Sequence, residues 1–62
     1  MLKILQQFLK TYKIKYKSHD AYLIFRYKGK RYCYDDTTQM IYHPVKMKLE
    51  TIVNLIYNEQ NI

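Results

Sequence analysis

Sixty-two residues make one small domain, single from residue 1 to 62, and a chain this short buries only about 60% of the surface that its unfolded form exposes. A composition that is 48% hydrophobic and 16% aromatic, with one Gly and one Pro, excludes a disordered polar chain. Eleven Lys and Arg against five Asp and Glu give +6 and a pI near 9.5, the balance of a protein whose partner is a polyanion.

The first ten residues set Met1, Ile4, Leu5 and Phe8, with Leu2 and Leu9 alongside, against Lys3, Gln6, Gln7 and Lys10. That spacing predicts a short amphipathic helix, which must dock because isolated helices of about ten residues are marginal in water. The period then changes. Tyr12, Ile14 and Tyr16 alternate with Lys13, Lys15 and Lys17, which predicts a half-buried strand with a lysine face over residues 12–17. The alternative continues the first helix to Lys17 and stacks Tyr12 on Tyr16.

Ser18, His19 and Asp20 then form a turn, and residues 21–27 read as an apolar central strand. Lys28, Gly29 and Lys30 place the chain's one glycine where a hairpin needs a positive φ. Residues 31–34 return as the partner strand, with Tyr32 and Tyr34 on one face, and Asp35, Asp36, Thr37 and Thr38 end it. A further short strand at residues 40–42 is left open. Pro44 marks the start of a second helix, in which Val45, Leu49, Ile52, Val53 and Ile56 recur at helical spacing, and residues 58–61 are expected to fray.

The fold class is therefore α+β: an α-β-β-β-α order with a three-stranded antiparallel sheet packed against two helices. The sheet's other face is left for solvent, a partner or a second copy in a homodimer.

The basic residues fall into clusters. Lys13, Lys15 and Lys17 lie along the first strand, with Arg26 on the next. Lys28, Lys30 and Arg31 surround the hairpin, and Lys46 and Lys48 lie in the expected first turn of the second helix, where N–H groups already favour a phosphate. Together they outline a site for RNA or DNA. Tyr22, Tyr32, Tyr34 and Tyr42 would add an aromatic platform wherever they reach the open face, suited to base stacking or to a protein contact. Lysines on strand faces also serve solubility and protect sheet edges, and an abundance of tyrosine also follows from AT-rich coding.

His19, beside Ser18 and Asp20, is the candidate general acid or base, although no triad, metal-ligand spacing or phosphate-binding glycine loop accompanies it. No metal and no cofactor is expected. Cys33 has no cysteine to pair with, which points to the cytoplasm, and no run approaches the ~20 apolar residues of a membrane span. The apolar residues of the first ten are too interrupted for a signal peptide. Abundant Lys, Ile and Tyr with a single Ala and a single Gly point to a low-GC bacterium or to a phage or plasmid within one.

A Leu-Lys-Ile-Leu helix start at Leu2, a strand running into Ser18-His19 and an apolar-aromatic strand through Phe25 have a familiar order. With the Gly29-Lys30-Arg31 turn and the helix segment Leu49-Glu50-Thr51-Ile52, the chain resembles the HicA family of toxin mRNA interferases. The resemblance implies a double-stranded-RNA-binding-domain-like fold, a ribonuclease activity with His19 as the catalytic residue, and an antitoxin protein as partner. The glycine that the family places before Ser-His is Lys17 here, the glycine ending its first helix is absent, and residues 35–43 have no good counterpart.

Three functions follow from these readings. The first is a basic, non-enzymatic binding domain that contacts nucleic acid. The second is a toxin ribonuclease using His19, and the third is a mobile-element inhibitor that grips a host or defence protein with a tyrosine-rich sheet face.

Overall fold

Two-residue turns set the register of this protein, and the computed structural model describes the result for residues 2–62. Helix α1 (Leu2–Thr11) leads into β1 (Tyr16–His19), β2 (Tyr22–Tyr27), β3 (Lys30–Asp35), β4 (Met40–His43), β5 (Met47–Lys48) and helix α2 (Leu49–Gln60). The strands form one antiparallel sheet in the order β1-β2-β3-β4-β5. The α+β class with two helices holds, but the sheet has five strands rather than three. The open question at residues 40–42 resolves as β4, and the short β5 was concealed inside the apparent second helix.

At the β2–β3 turn Lys28 and Gly29 both adopt positive φ, 51° and 79°, which matches the right-handed twist of the flanking strands and closes the hairpin in two residues. Tyr27 then pairs with Lys30, and every later pair is fixed: Arg26 with Arg31, Phe25 with Tyr32, Ile24 with Cys33, Leu23 with Tyr34. The buried members of this ladder are Leu23, Phe25, Tyr27, Tyr32 and Tyr34. They pack with Ile41 from β4, Leu5 and Leu9 from α1, and Leu49, Ile52 and Ile56 from α2. The Phe25 and Tyr32 rings stack at 5.2 Å.

Several sequence expectations need correction. Residues 12–17 are neither a strand throughout nor a continued helix. Tyr12 and Lys13 form the turn that ends α1, and pairing begins only at Tyr16. The alternation survives as burial, since Tyr12, Ile14 and Tyr16 lean on the core while Lys13, Lys15 and Lys17 are exposed. Ser18 and His19 belong to β1, and the turn is Asp20-Ala21, with Asp20 at φ 52°.

The second helix begins at Leu49, not Pro44, because Met47 and Lys48 pair with Ile41 and Met40 and so commit that backbone to the sheet. Lys46 therefore lies in a loop and Lys48 at the N-cap, not in the first helical turn, while Val45 is exposed. Ile4 is also exposed, at 66%, rather than on the docked side of α1. Met1, grouped with it, lies outside the described residues. The end of α2 is not frayed: Asn61 Nδ2 donates to the Tyr12 hydroxyl at 3.0 Å and to the Tyr57 carbonyl at 2.7 Å.

Tyr27 and Tyr34 serve the core because their hydroxyls find partners at its rim. The Tyr27 hydroxyl donates to Glu59, which also holds the Lys28 ammonium at 3.1 Å, so α2 is tied to the hairpin. The Tyr27 hydrogen bond and the Lys28 cation hold the Glu59 carboxyl below its usual range, and Glu59 raises Lys28. The Tyr34 hydroxyl donates to Asp36 at 2.8 Å, and burial, reinforced by that carboxylate, pushes its phenol up to about 12.

Helix α1 ends in a Schellman motif. The Ile14 N–H donates to the Leu9 carbonyl at 2.8 Å and the Lys13 N–H to the Lys10 carbonyl at 3.0 Å, with Lys13 left-handed at φ 59°. A side chain costs roughly 1–2 kcal/mol in that conformation, and glycine relieves much of it. Lys13→Gly should therefore stabilise the fold by about 1 kcal/mol, read as a raised urea midpoint with an unchanged m-value; a lowered midpoint would refute this account of the turn.

The raised Tyr34 pKa means that the folded state holds its proton more tightly than the unfolded chain, where tyrosine titrates near pH 10. Its stabilisation is complete below about pH 10 and is lost as pH rises through about 12. Tyr34→Phe should cost about 1–2 kcal/mol at neutral pH, and that cost should shrink through this alkaline window. Denaturation curves on both proteins across the window check it, and a pH-independent difference would show the hydroxyl to be outside the core.

Candidate functional site

Side chains on a strand alternate between faces, so each residue between the core positions points away from the helices. The uncovered face can be read row by row from the register. One row runs His19, Tyr22, Asp35, Met40, Lys48, and the next Lys17, Ile24, Cys33, His43. A third row holds Arg26 opposite Arg31, with Lys15 just before β1.

Cations gather at one end of this face. Lys15, Lys17, Arg26 and Arg31, with Ile14 and Ile24, line an open cleft of about 710 Å³. Among the described residues the ion pairs are His19 with Asp20 and Lys28 with Glu59, so no carboxylate lies within ion-pair distance of the two arginines or of Lys15 and Lys17. The opposite end of the strands carries Asp20, Asp35 and Asp36, brought together where the Asp36 N–H donates to the Ala21 carbonyl at 2.8 Å. Strands β1 to β3 are therefore charge-polarised along their length, while Lys48 at the β5 edge lies in the Asp35 row.

The remaining basic residues from the sequence are dispersed. Lys13 serves the helix-ending turn, and Lys28 is engaged by Glu59 and lies 5.7 Å from the Tyr27 ring centroid. Lys30 pairs with Tyr27 and so leans to the helix-covered side. Lys46 sits 5.9 Å from the Tyr42 ring centroid, and Lys48 stands at the far edge beside Met40.

The four-tyrosine platform does not exist as expected. Tyr32 and Tyr34 lie opposite Phe25 and Leu23, and both are buried under the helices. Tyr42 is exposed, but it occupies the extra position where β3 and β4 shift register, and its hydroxyl donates to Thr38 Oγ1 at 2.9 Å. Tyr22 is exposed on the open face, 50% accessible, and its hydroxyl makes no side-chain hydrogen bond among the described residues. Ile24, Met40 and His43 are members of this face that sequence reasoning did not single out; the hairpin register would have found Ile24.

His19 is exposed at the end of β1, its Nε2 3.4 Å from the Asp20 carboxylate, in the same row as Tyr22. Cys33 is free and half-buried on this face between Ile24 and His43. Among the described residues no three His, Cys, Asp or Glu side chains come together as metal ligands do, and no helix is long and apolar enough to cross a membrane. No family model, curated protein or solved structure matches this chain.

Like charges directly opposite on neighbouring strands are destabilising. Arg31→Thr, which keeps a good strand former, should therefore stabilise the protein by about 0.5 kcal/mol at low salt, and the gain should fade as salt screens the pair. Thermal melts at two ionic strengths measure this. A loss of stability would instead assign Arg31 a packing role through its aliphatic stem.

Proposed function

We propose that this domain binds nucleic acid on the open face of its sheet, with Arg26 and Arg31 as the phosphate seat and Lys15 and Lys17 flanking it. The observation that carries this reading is the direct opposition of Arg26 and Arg31 in the hairpin, with no carboxylate among the described residues within ion-pair distance of either. Charge placed only for solubility is better spread out, because opposing like charges cost stability. A bridging phosphate converts that cost into two charge-assisted hydrogen-bonded pairs, and guanidinium forks fit phosphate oxygens. The net charge of +6 adds long-range attraction to the same partner.

His19 stands on the same face, about 13 Å along β2 from the arginines by strand rise, so RNA held there comes within reach of an imidazole. The toxin-ribonuclease reading is thereby examined with the same protein: labelled RNA cut by the wild type and left intact by His19→Ala would add hydrolysis to binding.

The binding test is fluorescence anisotropy with labelled RNA and DNA over a range of salt. Each phosphate contact contributes roughly 0.7 to 0.9 to the slope of log K against log salt, so Arg26→Gln with Arg31→Gln, which removes the one phosphate they share, should reduce the slope by about 0.8. Lys3→Gln, on α1, should leave it unchanged. Equal slopes for wild type and the double variant would remove the arginine pair from the interface.

A further inference from the structure

Resting on that reading, we propose that the nucleic acid bound is single-stranded, with its phosphates at the Arg26–Arg31 end of the sheet and an unstacked base laid on the Tyr22 ring at the other. Three features of the face carry this.

The first is the division of charge. The cations that line the cleft are Lys15, Lys17, Arg26 and Arg31, whereas the Tyr22 end has Asp35 directly opposite it and Asp20 in the adjoining turn, its one lysine, Lys48, standing away at the β5 edge. A duplex laid along the strands would bring phosphates against those carboxylates. A single strand can turn its backbone toward the arginines and place a neutral base beside Asp35. One Asp35 oxygen already accepts the Thr37 N–H at 2.9 Å, and the other can accept from a base amino group.

The second is the surface between the two ends. Ile24 and Cys33, paired and half-buried, form an apolar floor between Tyr22 and the arginines, four residues and about 13 Å apart along β2. A duplex keeps its base faces stacked on one another and would leave that floor in water; splayed bases of a single strand can cover it.

The third is Tyr22 itself. Four tyrosines place their hydroxyls on partners, Tyr12 with Asn61, Tyr27 with Glu59, Tyr34 with Asp36 and Tyr42 with Thr38. Tyr22 instead presents an accessible ring on a rigid strand between β1 and β3, the arrangement of a stacking platform.

The full chain would be titrated at low salt into fluorescein-labelled all-uracil RNA and all-thymine DNA strands of about 12 nucleotides, and into RNA and DNA hairpin duplexes of equal phosphate number. The single strands should bind about tenfold more tightly than the duplexes. Tyr22→Ala should lower single-strand affinity about tenfold without changing the salt slope, and Tyr22→Phe, which keeps the ring, should restore it. Circular dichroism confirms that each variant is folded.

Duplexes bound as tightly as single strands, or a Tyr22→Ala protein that binds like the wild type, would overturn this inference while leaving nucleic-acid binding intact. No binding of any probe at low salt would overturn both.

Discussion

The two-residue turn at Lys28-Gly29 is the constraint from which the rest of the structure follows. With both residues at positive φ, the hairpin has one register available, and that register sorts β2 and β3 into two sets. Leu23, Phe25, Tyr27, Tyr32 and Tyr34 go to the helices, while Tyr22, Ile24, Arg26, Arg31 and Cys33 go to the open face. A slip of one residue would bury the arginines and expose the aromatic core. The opposition of Arg26 to Arg31 is thus inseparable from the pairing of Phe25 with Tyr32, one face taking the electrostatic cost of the register that packs the other.

A core that buries Tyr27, Tyr32 and Tyr34 among its leucines and isoleucines needs a rim that satisfies phenols, and this shapes how the helices attach. Glu59 and Gln60 at the end of α2 reach the Tyr27 hydroxyl, and Asn61 reaches Tyr12 at the end of α1. The C-terminal turn of α2 is fastened by polar contacts, while its first turns are fastened by Leu49, Ile52 and Ile56. A carboxylate that might have neutralised the open face is likewise occupied on the covered side, since Glu59 holds Lys28 beside the hairpin.

Much of this was legible in the residues. The amphipathic start of α1, the glycine hairpin and the inward alternation of Tyr12, Ile14 and Tyr16 all follow from spacing and appear in the structure. The fate of Tyr32 and Tyr34 was missed, because Lys28, Gly29 and Lys30 all read as turn, and only a two-residue turn sets these tyrosines opposite Phe25 and Leu23. What could not be read was β5. The spacing from Val45 to Ile56 is helical throughout, no Ser, Thr, Asp or Asn precedes Leu49 as a start signal, and only the long-range pairing of Met47 with Ile41 decides the boundary. The strand start at Tyr16 was hidden for a similar reason: left-handed Lys13 ends α1 where a glycine would have announced it.

The arginine opposition has a thermodynamic corollary for handling the protein. Any anion that settles between the two guanidiniums binds the folded chain and has no equivalent site in the unfolded one, so folding becomes linked to the identity of the buffer. Sulfate or phosphate will then make the domain look sturdier, and slower to open to a protease, than chloride does at equal ionic strength.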